Sequence, residues 1–146
     1  MSEQSSVEAN KALVREFFTS WGESDFDHML ELVDPEGEWW TLANQRVRTF
    51  KEVIARVRNV AEETTKGRIE FTLGSMTAEG DRVAAVLESH AYFADRGAYE
   101  NQYLFLFQVA DGRFARVRMY YDTALANRVL RGEGSSNPPL PSHVND

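Results

Sequence analysis

The sequence of 146 residues contains no cysteine. A disulfide scaffold, a thiol nucleophile and a cysteine-type zinc site are therefore excluded. No apolar run approaches the roughly 20 residues that a membrane-spanning helix requires. The first six residues, MSEQSS, are polar and lack the basic-then-apolar order of a signal peptide. These features predict a cytoplasmic protein.

Acidic side chains outnumber basic ones, 23 to 16, which gives a net charge of −7. This balance argues against broad nucleic-acid binding. The sequence has no phosphate-binding glycine loop and no Gly-x-Ser-x-Gly elbow, so we expect no cofactor. Glu88 and His90 offer two metal ligands without a third at recognisable spacing, so we expect no metal.

The hydrophobic fraction of 42% is too high for a disordered chain and, at this length, fits one domain. Apolar residues at helical spacing predict a first helix that Gly22 ends. A second helix is predicted from an N-cap at Ser24 to Asp34, before Pro35. A short strand over 38–42 and a polar loop over 43–48 follow. Thr49 and Glu52 form a capping box that begins a third helix.

The apolar period changes from 3.6 to 2 after Gly67. Three turn signals divide the second half into strands near 68–77, 82–93, 98–109 and 113–121, which short connections make antiparallel. Residues 123–130 favour a short last helix. The sequence thus predicts an α+β domain over residues 1–131, in which three helices pack on a curled antiparallel sheet around a cone-shaped cavity. Residues 132–146 hold three of the four prolines and are predicted to be a flexible tail.

Alternation sorts the strand side chains into faces. Glu88 and His90 share one face of strand 82–93, and Leu87 lies on the other, apolar one. From apolarity alone, we expect the Leu87 face to be buried and the side chains of Glu88 and His90 to be exposed to water. Strand 98–109 is apolar on both faces, which predicts cover on both sides. We expect helices on one side and a second subunit on the other, in a homodimer through Leu87, Leu104 and Leu106.

This order of elements resembles the SnoaL-like, nuclear-transport-factor-2-like superfamily over about residues 7–130. The resemblance includes the last turn and strand, Asp111-Gly112-Arg113-Phe114 … Tyr120-Tyr121-Asp122-Thr123. The resemblance implies a cone-shaped α+β barrel with a hydrophobic pocket. It does not imply one function, because the superfamily includes ketosteroid isomerases, limonene epoxide hydrolases, polyketide cyclases, dehydratases and proteins that only bind or dimerise.

Registering the chain on the epoxide hydrolases implies that Glu88 takes the position of a pocket aspartate, so that Glu88 and His90 point into the cavity. The resemblance implies further pocket-lining positions. Alternation and helical spacing assign several apolar residues to the same cavity. Together, the two sets give a predicted lining of Phe17, Trp21, Trp40, Val86, Asn101, Val117, Met119 and Tyr121.

The same register disfavours two known activities. Val86 and Met119 replace the hydrolase arginine and second catalytic aspartate, and neither can act as an acid or base. In the ketosteroid isomerase pattern, Phe17 replaces the first-helix tyrosine, and Trp40 or Thr41 falls where the base should be. Neither epoxide hydrolysis nor steroid isomerisation is expected.

Two functions remain in competition. In the first, the protein is a cofactor-independent isomerase, dehydratase or cyclase that acts on an apolar small molecule, with Glu88 as base, His90 as acid or orienting partner, and Tyr103 as hydrogen-bond donor. In the second, it is a non-catalytic ligand-binding or dimerisation protein. Under that alternative, Glu88 and His90 are a satisfied polar pair or face water, Tyr103 and Tyr121 are core rings, and Asp122 forms a salt bridge or caps the last helix.

Overall fold

The computed structural model describes residues 3–64 and 69–130, with side chains from residue 6 onward. The predicted tail over 132–146 lies outside the described residues. Four helices, with three of them in the first half of the chain, are α1 (Glu3–Gly22), α2 (Phe26–Glu31), α3 (Phe50–Glu62) and α4 (Thr123–Leu130). No helix in the described part of the chain is both long and apolar enough to cross a membrane.

The helix starts follow local capping chemistry. At α3 the predicted N-cap is confirmed, because the Glu52 amide donates to Thr49 Oγ1 at 3.2 Å. The Glu52 carboxylate accepts from the Thr49 hydroxyl at 3.0 Å, in place of the backbone amide of a full capping box. The N-cap of α2 is Asp25, whose carboxylate accepts from the His28 amide at 3.2 Å. The predicted N-cap Ser24 is wrong by one residue. Ser24 instead occupies the turn between α1 and α2 with a φ of 59°.

Six strands form one mixed sheet in the order β2-β1-β6-β5-β4-β3. Their bounds are β1 (Val33–Thr41), β2 (Val47–Thr49), β3 (Glu70–Glu79), β4 (Arg82–Phe93), β5 (Gly97–Ala110) and β6 (Arg113–Tyr121). The meander β3–β6 is antiparallel as predicted, whereas β1 runs parallel to β6. The α+β cone is confirmed, and the structure adds β2, which overlaps the end of the predicted loop over 43–48 and includes Thr49.

Strand β1 begins five residues before the predicted strand and includes Pro35. Proline cannot donate to a sheet ladder, so it is tolerated in strands only at edges or bulges. The pairing of β1 with β6 shifts register between Val33 and Glu38, and Pro35 falls inside this irregular segment. The bulge therefore explains why the chain continues as a strand where proline predicted only the end of a helix.

The described helices pack on one face of the sheet, which we call the inner face. Phe17 on α1 is completely buried at its centre. Its ring lies 5.4–6.2 Å, centroid to centroid, from the rings of Phe18, Trp21, Trp39, Phe107 and Phe114. Aromatic rings at these separations fill volume with favourable edge-to-face geometry. The centre of the cone is thus a packed aromatic core.

Gly37 supports the close approach of β1 to its parallel neighbour. A Cβ at this position would lie 2.5 Å from the Ala115 carbonyl oxygen and 3.0 Å from that of Asp34. Both atoms belong to the backbone, so neither can move without disturbing the sheet.

We predict that Gly37→Ala lowers the free energy of unfolding by about 1–3 kcal/mol, the usual cost of overpacking a core. Gly22→Ala is the matched control, because its Cβ would meet only the Ile69 carbonyl oxygen at an ordinary 3.7 Å. Urea unfolding monitored by circular dichroism measures both variants. Equal stability of the two variants would contradict this role for Gly37.

Candidate functional site

A pocket of about 270 Å³ opens at one end of the inner face, where the β1–β2 loop, α3, α4 and the end of β6 meet. We call it the mouth pocket. Its lining consists of Trp39, Thr41, Ala43, Asn44, Arg46, Arg48, Val53, Arg56, Tyr121, Ala126, Asn127 and Leu130. Apolar side chains and a few polar groups around a concave surface are typical of a small-molecule site.

Trp39 and Tyr121 supply the aromatic part of this lining. Trp39 is 1% exposed and is held by Phe50 and Phe105, at ring distances of 5.7 and 6.1 Å. Its indole Nε1 is buried and has no hydrogen-bond partner among the described residues, an arrangement that costs free energy. Tyr121 stacks on Tyr103 with ring centroids 5.7 Å apart. Both rings are therefore fixed by core packing rather than left to adapt.

Three arginines form the basic part of the lining. Arg48 on β2 pairs in register with Trp39 on β1, so the two side chains project from the same face. Arg56 lies one turn after Val53 on α3, and Arg46 lies in the β1–β2 loop. None of the three forms an ion pair with any residue in the described segments, and no Asp, Glu or His lines the pocket there.

A polar network lies on the inner face beside this pocket. Ser89 Oγ donates to Tyr103 Oη at 3.2 Å, and the hydroxyls of Tyr99 and Tyr103 are 2.8 Å apart. Asn101 Nδ2 donates to Tyr99 Oη at 2.9 Å and to the Asp122 carbonyl at 3.0 Å. Desolvation raises the pKa of Tyr103 to about 12 and that of Tyr99 well above its usual value. Both phenols are therefore protonated at neutral pH.

Asp122 has a structural role at the start of α4. Its carboxylate Oδ1 accepts from the Leu125 amide at 3.0 Å, while its own amide donates to Asn101 Oδ1 at 3.2 Å. Of the two alternatives drawn from the sequence, the structure supports the helix cap over a salt bridge. Asn101 and Asp122 together attach α4 to β5.

Glu88 and His90 lie on the outer face of the sheet, which no described helix covers. In the sheet register Glu88 is level with Gln102, whereas Leu87 is level with Tyr103 on the inner face. The inward orientation that the resemblance implied for Glu88 and His90 is therefore wrong. The simpler expectation from apolar alternation, that the Leu87 face is buried, is correct because β4 packs that face against the core.

The two side chains nevertheless lie together. His90 Nε2 is 3.5 Å from Glu88 Oε2, and His90 Nδ1 is 3.7 Å from Glu100 Oε1. Glu88 is 8% exposed, and its Oε1 is buried without a hydrogen-bond partner in the described part of the chain. No group of three metal-ligating side chains occurs within the described segments. Catalytic roles for Glu88, His90 and Tyr103 stay predictions, and Tyr103 lies on the opposite face from the other two.

The predicted pocket lining is divided among several environments. Only Tyr121 lines the mouth pocket. Phe17, Trp21 and Val117 are buried in the core, and Met119 packs against it. Asn101 belongs to the polar network.

Val86 and Trp40 lie on the outer face. Trp40 is 5.2 Å from the Tyr120 ring and lies beneath the Arg118 guanidinium at 4.5 Å. Trp40 was predicted to line the cavity, whereas its neighbour Trp39 is the tryptophan that lines the mouth pocket. A shift of one residue along a strand exchanges the two faces.

The sequence analysis missed the arginines of the mouth pocket. Arg46 and Arg48 fell within a segment interpreted as a polar loop. Their spacing of two residues was the available signal, because it places side chains on one face of an extended chain. The contribution of Arg56 required knowing that α3 packs beside β1.

Comparison with solved structures gives neighbours of the same fold. AclR from Streptomyces galilaeus, a proposed hydroxylase, matches with a TM-score of 0.74 and 15% identity, covering 90% of this chain and 86% of that one. An epoxide hydrolase of the limonene type from M. tuberculosis matches with a TM-score of 0.71 and 18% identity, covering 87% and 93%. A proposed SnoaL-like polyketide cyclase from Jannaschia sp. CCS1 matches with a TM-score of 0.71 and 20% identity, covering 90% and 94%.

At these identities the likeness establishes the fold alone. Comparison with curated protein sequences gives no match. The family model described as the SnoaL-like domain matches residues 14–117. That span includes the second half of α1, all of α2, α3 and β1 to β5, and the first half of β6. The chain therefore belongs to the SnoaL-like domain family.

Proposed function

We propose that the protein binds a small, largely apolar molecule in the mouth pocket. The observation that carries this proposal is an open pocket of about 270 Å³ that is lined by the half-buried Tyr121 ring and backed by the nearly buried Trp39. Apolar area removed from water contributes roughly 25 cal/mol per Å² to binding before entropic costs. An aromatic or polycyclic ligand gains from packing on the Tyr121 ring, which is already held in position by Tyr103.

Binding without catalysis fits this pocket best. No carboxylate or imidazole lines it in the described segments, so general acid–base catalysis has no conventional group there. Tyr103 lies behind Tyr121 in a satisfied network, and desolvation raises its pKa to about 12. A phenol of that pKa can donate a hydrogen bond but rarely transfers its proton at neutral pH.

The neutral probe 2-naphthamide tests this function by isothermal titration calorimetry. We predict that the protein binds it and that Ala43→Trp abolishes binding, because Ala43 is an exposed lining residue whose enlargement fills the pocket. Ala110→Trp, at the exposed last residue of β5, is the matched control and should bind normally. A Glu88→Gln, His90→Ala double variant should also bind normally, because both residues lie on the opposite sheet face.

Absence of binding by the unaltered protein would overturn the proposed function. Equal binding by Ala43→Trp would place the probe elsewhere and would overturn it as well. Circular dichroism of each variant provides the check on folding.

A second candidate is a cofactor-independent isomerase, dehydratase or cyclase that uses Glu88 and His90. The observation in its favour is the Glu88 carboxylate, which is nearly buried, has one oxygen without a described partner and lies 3.5 Å from His90. A carboxylate and an imidazole at this distance can exchange a proton through a bound substrate. This site would act on the outer face, with the reacting molecule enclosed by another chain.

This candidate is tested by the exchange of the acidic C–H protons of 2-tetralone with deuterated water, followed by proton NMR. The acid–base hypothesis predicts exchange faster than in buffer and loss of that acceleration in Glu88→Gln. Glu100→Gln, which alters the more distant partner of His90, is the control and should retain most of it. Full acceleration in Glu88→Gln would contradict a catalytic role for Glu88.

We further propose a homodimer through the outer sheet face of a cytoplasmic protein. Leu104 is 43% exposed there, beside the half-buried Leu106 and Val86. Leu87, which was expected on this surface, is instead buried on the inner face. An apolar strand centre without a covering helix is typical of an interface.

Leu104→Glu should convert the dimer to a monomer, because the new charge would be desolvated at the centre of the interface. Ala12→Glu, on an exposed position of α1, is the matched control and should remain dimeric. Sedimentation velocity measures both. A monomeric unaltered protein, or a dimeric Leu104→Glu variant, would contradict the proposed interface.

A further inference from the structure

We propose that the ligand of the mouth pocket is an organic acid whose carboxylate is held by Arg48 together with Arg46 and Arg56. This inference rests on the proposed function and adds the chemical class of the ligand. Its first basis is charge: three guanidinium groups line one small pocket in a chain whose net charge is −7. In such a chain, carboxylates are available to pair with most cations.

Some arginines elsewhere in the described structure form ion pairs, whereas the exposed Arg15, Arg82 and Arg113 form none in the described segments, so it is the sharing of one pocket that distinguishes Arg46, Arg48 and Arg56. Arg58 contacts Asp27 at 3.0 Å, Arg116 contacts Glu38 at 3.4 Å, and Arg96 contacts Glu63. Arg46, Arg48 and Arg56 have no ion pair within the described segments, although they lie close enough to line the same pocket. Like charges that converge without a counterion repel one another, so an anion bound between them is stabilised by all three.

The second basis is the geometry around Arg48. This residue is half-buried and level with Trp39 in the β1–β2 ladder, so its side chain projects from the same face as Trp39 and lines the pocket. A guanidinium presents a planar set of donors that matches a carboxylate in a bidentate arrangement. An apolar ring on Trp39 and Tyr121 with a carboxylate toward Arg48 satisfies both parts of the pocket.

The pocket also limits the kind of anion. Its volume of about 270 Å³ and its apolar floor suit a small aromatic acid rather than a long polyanion. The negative net charge of the chain opposes a highly charged polymer, since repulsion grows with each added phosphate. The electrostatic attraction on a single carboxylate comes mainly from the nearby arginines, because salt screens the charges of residues beyond roughly 8 Å at physiological ionic strength.

Calorimetric titration with 2-naphthoate and 2-naphthamide isolates the charge, because the two probes share one ring system and have similar size. We expect 2-naphthoate to bind about tenfold more tightly, the effect of one charge-assisted contact. Arg48→Gln should remove most of this preference, measured as the ratio of the two dissociation constants in that variant. Arg113→Gln is the control, at the far end of β6 and roughly 25 Å along the strand from Tyr121.

Arg56→Gln provides a second variant at an exposed helix position, in case Arg48→Gln does not fold. Equal affinity of the unaltered protein for both probes would overturn the inference and leave the proposed function standing. A preference for 2-naphthoate that survives both Arg48→Gln and Arg56→Gln would also overturn it. Failure of 2-naphthamide to bind would instead contradict the proposed function, so the two failures are distinguishable.

Discussion

The packing of aromatic rings around Phe17 is the constraint on which the rest of the structure depends. Phe17 contacts rings contributed by α1, β1, β5 and β6 and is itself fully buried. Truncating a ring so placed leaves a cavity that neighbouring elements cannot fill, at a cost of about 3–5 kcal/mol. Because these rings occupy the centre of the cone, space for a ligand remains at its mouth, where α3 and α4 approach the end of β6.

This arrangement separates the chemistry of the two sheet faces. The inner face has phenols, an amide and, at its mouth, guanidinium groups, all of which can donate hydrogen bonds. The outer face has the Glu88–His90 pair, which can transfer protons. A ligand in the mouth pocket is on the other side of the sheet from that pair. The mouth pocket and the Glu88–His90 pair thus lie on different surfaces, and the proposed function follows the mouth pocket.

Much of the fold could be predicted from local sequence signals. Strands β4 and β6 and helix α4 have the predicted bounds, because turn signals and capping residues act over a few positions. Strand β2 could not be predicted, because its three residues depend on pairing with β1. The bulge around Pro35 likewise depends on the parallel partner β6, which is about 80 residues away in sequence.

The candidate site was less predictable than the fold. Apolar alternation assigned the faces of β4 correctly, whereas the register taken from the epoxide hydrolases placed the side chains of Glu88 and His90 on the wrong face of the sheet. The mouth pocket combines residues near positions 39–56 with residues 121–130, and only tertiary packing brings these segments together. Aromatic residues on helical spacing gave no sign of whether they lined a cavity or filled it.

The most direct test of a ligand site at the mouth of the cone is a proton–nitrogen NMR titration of the three tryptophan indoles with 2-naphthamide. Trp39 lines the mouth pocket, Trp21 lies in the core and Trp40 lies on the outer face. The account predicts that the Trp39 indole signal shifts most and that the Trp40 signal stays in place. A shift confined to Trp40, or no shift at Trp39 while the probe binds, would contradict it.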